Sequence, residues 1–374
     1  MNRRPPKNGE VREKEINTLL VDGNALFKVG YFGAKDLYND NGHHVGGVYQ
    51  FLTTLRMILD KDVYHRVFIF WDGNFSGKLR YQIYEPYKSG RGKDFVNGTQ
   101  PIDEVELIQR RLVWKYINEM YIRQLKHEMV ESDDFIAYYC LNKKENEKIT
   151  IASTDRDFCQ LIKDKIRIYF LDLKVFVDSS NFSSYFCYNY ENAKLMKVIC
   201  GDNSDSIKGI KGVQEKTLLT HFPELAERKI TLNEIIEKAQ QIQEERKSKK
   251  QKPLQALDNI INKITDGVQK EKIYEINEQL VDLHKPMMTE SAISDLEHLI
   301  DGTLDSSGRE LKNVLMMMKR DGLDRIIGET RYPDYLIPFK KLIDREQNFI
   351  QLHFFRWSNL FFQTIHKNKP IVIL

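Results

Sequence analysis

Acidic residues arrive in five short packets along this chain. The settings are LLVDGN, VFIFWDG, EMVESDDFIA, ITIASTDRDF and VICGDNSD, and they supply Asp22, Asp72, Glu131, Asp133, Asp134, Asp155, Asp157, Asp202 and Asp205. Four of these five packets follow an apolar run that reads as a buried strand or a buried helix. Acids at the ends of neighbouring strands in one sheet converge in space although they lie far apart in sequence. So many negative charges repel one another, and burial adds a desolvation penalty. Hard cations with oxygen ligands resolve the conflict most simply, which means magnesium or manganese and points to phosphate chemistry.

The surrounding pattern supports a parallel sheet. Residues 18–21 read as a strand closed by Asp22-Gly23, residues 47–59 carry apolar positions at helical spacing, and residues 67–71 form a second strand closed by Asp72-Gly73. Such a βαβ unit places ligands beyond the carboxyl ends of its strands, where both aspartates fall. Residues 75–98 are rich in Gly, Tyr, Lys and Arg without a clear period, and helical character is expected from about 102 to 128. A helix over 132–141, a strand over 148–152, a short helix over 157–162 and a hairpin-like pair at 167–171 and 175–177 follow. Beyond Tyr190 helices dominate, with a helix–Gly-rich turn–helix pattern around Gly209-Ile210-Lys211-Gly212 and a charged connector near 239–253. The expected fold class is α/β: a central, mainly parallel sheet flanked by helices, and a helical C-terminal part.

Composition sets few further bounds. The chain has 374 residues, 41% hydrophobic and 30% charged, which describes a globular protein of one large domain or two. No apolar segment approaches the ~18 residues of a membrane span. The basic, polar start reads as a short tail rather than a secretory signal. Cys140, Cys159, Cys187 and Cys200 form no C-x-x-C pair, so no zinc or disulfide framework is expected and a reducing cytoplasm is the default. The net charge of +3 decides little by itself. With nine acids gathered in one pocket, however, the remaining surface must be basic, which is the layout of a nucleic-acid enzyme.

Each acidic packet also has a plain structural reading, because an Asp after a strand caps a helix and acids at a helix start meet its dipole favourably. All five packets, each at the mouth of a buried element, exceed that reading. Magnesium takes only one or two protein carboxylates directly, and two ions about 3.5–4 Å apart clamp the attacking and leaving oxygens of a phosphodiester. Nine acids suffice for two such shells.

The stretches LLVDGNALF, FIFWDGN, YEPYKSGR, ESDDFIA, ITIASTDRDFCQLI and GDNSDSIKGIKGVQEKT, spanning about residues 18–225, resemble the 5′-nuclease superfamily in order and spacing. That superfamily comprises flap endonucleases, the 5′-exonuclease domains of bacterial DNA polymerases and phage 5′-nucleases, including phage ribonuclease H; the chain is most similar in character to the phage enzymes. The resemblance implies a PIN-like nuclease core over 18–190 after a mobile tail at 1–17. It also implies an arch over about 75–128, a helical DNA-binding region over 191–330 with a helix-three-turn-helix near 199–225, and a C-terminal extension over 331–374.

The resemblance implies roles residue by residue. Asp22, Asp72, Glu131, Asp133 and Asp155 look like ligands of a first ion, and Asp157, Asp202 and Asp205 of a second, with Asp134 between them; the ions would be two Mg2+ or Mn2+. Lys88 and Arg91 at the arch base would contact the scissile phosphate, a role that fits the negative charge gained in a phosphodiester transition state. Lys78, Arg80 and Lys93 would be general phosphate contacts. Gly209, Lys211, Gly212, Lys216 and Thr217 would hold duplex DNA, and the same turn admits a monovalent cation. Phe95, Trp114, Tyr116 and Tyr121 either stack unpaired bases or pack the helix.

The expected function is a structure-specific 5′-3′ exonuclease or flap endonuclease, acting on flapped or branched duplex DNA and RNA–DNA primer hybrids in replication and repair. The expected setting is a cytoplasmic monomer, in the host cell if the chain is phage-encoded. A single-strand-binding protein or a sliding clamp is a candidate partner, although Gln347, Ile350, Phe354 and Phe355 miss the register of a clamp motif. A PIN-type ribonuclease and a DNA-binding scaffold without catalysis are the rivals. The YKSGR and GIKGV segments count against the first, and the intact acids against the second.

Overall fold

The computed structural model describes residues 15–91, 103–120, 122–266, 270–302, 309–328 and 330–345. Its centre is a six-stranded sheet built from β1 (Ile16–Asp22), β2 (Arg66–Trp71), β3 (Arg123–Lys126), β4 (Glu147–Ser153), β5 (Ile166–Phe170) and β6 (Val175–Val177), ordered β3-β2-β1-β4-β5-β6. All pairs are parallel except β5–β6. Because β1, β2 and β4 are neighbours running the same way, Asp22, Asp72 and Asp155 arrive at one edge of the sheet.

Alternation along the strands divides the core. Leu19, Val21, Ile69 and Trp71 face one layer, with α1 (Gly23–Gly33), α2 (Gly46–Lys61) and the helix Glu104–Glu119. Leu20, Phe68, Phe70 and Ile151 face the other, which contains α5 (Ser132–Leu141). Asp22 ends β1 and caps α1, accepting from the Ala25 N–H at 3.0 Å. The next residue can only be glycine, because a Cβ on Gly23 would lie 2.7 Å from the Trp71 ring.

Between β2 and β3 lie α3 (Lys78–Ile83), a 3₁₀ turn at Ser89–Arg91 and α4, the Glu104–Glu119 helix. Residues 92–102 of the arch expected over 75–128 lie outside the described residues. Gln109 of α4 is fully buried and its side chain accepts from the N–H groups of Gly47 and Val48 at 2.7 and 3.2 Å, fixing α4 to α2. The expected helix over 102–128 stops at Glu119, and residues 123–126 form the edge strand β3 instead.

The later helices are α6 (Ala193–Cys200), α7 (Glu215–His221), α8 (Leu232–Ser248), α9 (Gln255–Ile261), α10 (Ile273–Val281), α11 (Glu290–Asp301) and α12 (Leu311–Arg320). α6 and α7 flank a miniature hairpin, β7 (Gly201–Asp202) with β8 (Ile207–Lys208), and the turn 209–214. The charged stretch expected as a connector near 239–253 is helical as far as Ser248: α8 opens on a Thr231/Glu234 capping box and gives way there. Val314, Leu336, Phe339 and Leu342 join the layer containing α2, and the Thr53 and Tyr335 hydroxyls lie 2.9 Å apart, so residues 311–345 return to the sheet domain. No described helix is long and apolar enough to cross a membrane.

Candidate metal centre

The acids at the sheet edge are linked through two serines. Ser132 at the start of α5 donates its hydroxyl to Asp72 at 2.9 Å, and lies 3.4 Å from both Asp22 and Asp133. Ser153, the last residue of β4, donates to Asp22 at 2.9 Å and accepts from the Asp155 N–H at 3.1 Å. Asp155 in turn caps the short 3₁₀ helix by accepting from the Asp157 N–H at 2.8 Å.

The remaining acids are gathered by cations and one phenol. Lys197 of α6 pairs with Asp157 at 2.7 Å and also with Asp202. Asp202 accepts from the Ser204 N–H and hydroxyl at 2.8 and 2.6 Å, closing the loop that carries Asp205. The Tyr87 hydroxyl donates to Glu131 at 3.0 Å and reaches Asp205 at 3.4 Å. Eight of the nine acids thus form one connected band from the sheet edge to the β7–β8 loop, and Arg80 ties the ninth, Asp134, to Glu131.

Charge imbalance runs through the band. Burial and the neighbouring Asp72 push the Asp22 carboxyl up to about 6. Burial, Asp22 and Asp155 push Asp133 well above its ordinary value. Burial and Asp155 raise Asp157 to about 7 although Lys197 opposes them. At Glu131 burial acts upward too, but Lys88 and Arg80 outweigh it and hold the carboxyl at about 2. Asp202 is likewise held at about 2 against burial, by Lys197 and the Ser204 donors. The two partners of Lys197 therefore shift oppositely, because Asp202 has the extra donors whereas Asp157 faces Asp155.

This donor set fits hard divalent ions. It is all oxygen, and Asp22, Asp72, Asp133 and Asp155 have no basic side chain paired to them among the described residues, so their mutual repulsion calls for added positive charge. Among the described residues, no three Asp, Glu, His or Cys side chains converge closely enough to enclose an ion unaided. Magnesium suits that spacing because it keeps several waters and needs few protein ligands.

Lys88 and Arg80 do not stand at the surface. Lys88 has φ +53°, is 7% exposed, and donates its backbone N–H to the Asp205 carbonyl at 2.8 Å. Its ammonium pairs with Glu131 and lies 5.0 Å from the centre of the Tyr87 ring. Arg80, expected as a phosphate contact, is instead buried. It donates to Glu131 at 2.6 Å, to both Asp134 oxygens at 2.7 and 2.9 Å, and to the Leu280 carbonyl at 3.0 Å. Asp134 also accepts from the Met287 N–H at 2.9 Å, so both oxygens of this expected metal ligand are occupied by protein donors. A buried guanidinium needs such partners, and the pair joins the sheet domain to the loop after α10.

Lys78, Lys211, Gly212 and Lys216 are exposed and Thr217 and Gly209 are partly so, as residues facing a ligand in solution must be. Lys211 pairs with Asp266 at 3.0 Å. A Cβ on Gly209 would lie 2.1 Å from the Cys200 carbonyl, so the turn approaches α6 in a way only glycine allows. Trp114 packs 6.0 Å from Trp71 and Tyr116 is fully buried, so both serve the core. Lys93, Phe95, Tyr121, the tail at 1–14 and the segment from 346, with Gln347, Ile350, Phe354 and Phe355, lie outside the described residues, as does the Arg91 side chain. Sequence reasoning missed Tyr87, Ser132, Ser153 and Lys197. Tyr87 and Ser132 adjoin residues it had singled out, whereas nothing in the helical pattern marks Lys197.

A mainly parallel sheet with acids gathered at the carboxyl ends of its strands leads into a helix, a two-stranded hairpin and a second helix. Residues 17–187, just under half of the chain, match the family described as 5'-3' exonuclease, N-terminal resolvase-like domain. The chain is 29% identical over 208 residues to the thermostable DNA polymerase I of Thermus caldophilus, covering 55% of this chain and 24% of that one. It is also 29% identical over 226 residues to a 5'-3' exonuclease of Mycoplasmopsis pulmonis, covering 59% and 70%. The match thus spans about a quarter of the polymerase's length. In fold it is similar to a bacteriophage T5 flap endonuclease solved with DNA and metal ions, with a TM-score of 0.51, 17% identity and coverage of 81% and 99%.

Proposed function

We propose that the chain is a divalent-metal-dependent, structure-specific 5′-nuclease that hydrolyses phosphodiesters in flapped or branched duplex DNA and in the RNA of primer hybrids. The observation that carries this reading is the shared carboxylate of Glu131. It belongs to the acidic band and at the same time holds the ammonium of Lys88.

Two magnesium or manganese ions would supply activation of water and neutralisation of phosphate charge. Asp22, Asp72, Asp133 and Asp155 would hold one, and Asp157, Asp202 and Asp205 the other. Glu131 stays ionised beside Lys88 and Arg80 and orients both. Asp134 acts through Arg80 as a fixed support rather than as a ligand. Lys88 and Arg91 stabilise the charge that develops on the scissile phosphate. Lys78, Lys211, Lys216 and Thr217 contact the duplex backbone, which gives recognition by shape rather than by base sequence. Sequence similarity over residues 17–187 to 5'-3' exonucleases supports the same reading.

The test is cleavage of a 5′-flapped duplex by the full chain in magnesium, with Asp72→Asn as control. Incision near the junction, lost in the variant while DNA binding persists, is the expected result. A wild-type protein inert in both magnesium and manganese overturns the proposal.

A further inference from the structure

Residues 87–90 lie against the β7–β8 loop through three polar contacts. The Lys88 N–H donates to the Asp205 carbonyl at 2.8 Å, the Gly90 N–H donates to the Ser206 hydroxyl at 3.2 Å, and the Tyr87 hydroxyl lies 3.4 Å from the Asp205 carboxylate. Lys88 and Ser206 both have left-handed backbones, at φ +53° and +60°. That conformation is costly for a residue with a side chain, and here one such residue stands on each face of the contact. On its far side the loop runs through β8 into the turn 209–214, which is fastened in its turn. Asn277 donates to the carbonyls of Val198 and Lys208 at 2.9 Å, Thr265 to that of Gly209 at 2.8 Å, and the Lys211 N–H to that of Ile264 at 2.8 Å. Ser206 thus stands between the segment that carries Lys88 and Arg91 and the turn that carries Lys211.

We propose that Ser206 is a positioning residue that sets which phosphate is cut. Its hydroxyl accepts from Gly90, the middle residue of the 3₁₀ turn that ends at Arg91. The backbone of Lys88 and Arg91 therefore keeps one position relative to the turn that carries Lys211. Duplex held by that turn presents one phosphate, rather than its neighbours, to the two cations. A misplacement of about 1 Å is enough to spoil such an alignment. Ser206 acts through Gly90 and does not itself touch the phosphate. The inference rests on the roles proposed for Lys88, Arg91 and the turn.

Single-turnover cleavage of a 5′-flapped duplex by the full chain in magnesium, resolved to single nucleotides, tests it. Wild type should cut at one dominant phosphate. Ser206→Ala should cut more slowly by roughly threefold to tenfold, the worth of one hydrogen bond, and spread its incisions over adjacent phosphates at unchanged duplex affinity. Ser206→Asn should restore the single position, because its side-chain oxygen accepts a hydrogen bond and asparagine tolerates the left-handed region. Ser206→Gly replaces Ala if that variant does not fold. Amide hydrogen exchange over residues 88–91 in the DNA-free chain reads the same bond without cleavage, and should quicken by roughly threefold to tenfold in Ser206→Ala. Unchanged exchange, or faster exchange with the wild-type cutting pattern, overturns the role of Ser206 and leaves the nuclease reading intact. A spread that asparagine does not narrow, or that comes with an equal loss of duplex affinity, overturns it as well. A wild-type chain inert in both magnesium and manganese overturns the nuclease reading, and the positioning role with it.

Discussion

Ser132 reaches Asp72 twice, through its backbone N–H at 2.8 Å and its hydroxyl at 2.9 Å. The first turn of α5 is thereby tied to the end of β2, and the same hydroxyl touches Asp22 and Asp133. Ser132→Ala keeps the N–H bond and loses the hydroxyl. Stability should fall by about 1 kcal/mol, read by urea unfolding, and manganese affinity should weaken because the carboxylates lose their common donor. Unchanged affinity would make the hydroxyl a bystander.

Arg80 distinguishes burial from surface charge. Arg80→Met leaves Glu131 and Asp134 without their shared guanidinium, so unfolding free energy should drop by about 3–5 kcal/mol. A phosphate contact would behave differently, with stability kept and the salt dependence of DNA binding reduced by about one unit of slope.

Lys88→Ala removes the ammonium beside Glu131. Single-turnover cleavage should slow by about 10²–10³, the effect of one charge-stabilising donor, while the dissociation constant for flapped DNA changes far less. Equal losses in both would reduce Lys88 to a phosphate anchor.

The perturbed acids predict opposite pH trends at the two ends of the range. Asp22 and Asp157 are raised to about 6 and about 7, so the native protein holds their protons longer than the unfolded chain does. Their contribution is full below about pH 4, the unfolded value, and is lost as pH rises through 6 to 7. Glu131 and Asp202 are lowered to about 2, so their contribution is present above about pH 4 and lost as pH falls toward 2. In EDTA the melting temperature should therefore decline from pH 5 to 7.5. Saturating magnesium should remove that decline, since the ions bind the deprotonated acids. A flat profile in EDTA would show that the acids do not crowd one another.

Gly209→Ala forces a methyl against the Cys200 carbonyl, 2.1 Å away without movement. The variant should lose about 1–3 kcal/mol, read by thermal unfolding. Duplex binding should fall, because the turn carrying Lys211 must shift. A melting temperature equal to wild type would mean the turn and α6 separate freely.

The strand ends were readable because a long apolar run closed by Asp-Gly has few alternatives, and Asp22 and Asp72 lie where that logic puts them. β3 was not readable. Its residues Arg123-Gln124-Leu125-Lys126 form an edge strand with one neighbour, so polar residues suffice and the segment reads as the continuation of a helix. Arg80 misled for a related reason: basic residues in a Gly-rich stretch look solvated, and only tertiary contact reveals that Asp134 and Glu131 face this one. Lys197 was invisible because spacing along α6 marks apolar positions alone, while its partners come from residues 157 and 202. Patterns within the chain locate acids; what neutralises them is decided by pairings between distant segments.

The neighbouring strands at the sheet edge are joined by long detours, so the acidic band draws on residues from 22 to 205. During synthesis Asp22, Asp72 and Asp155 leave the ribosome before Lys197 does. A nascent chain therefore accumulates negative charge at that end of the sheet before α6 is available to offset part of it. A polypeptide stalled or clipped before residue 205 consequently lacks the last acid of the band and cannot close it.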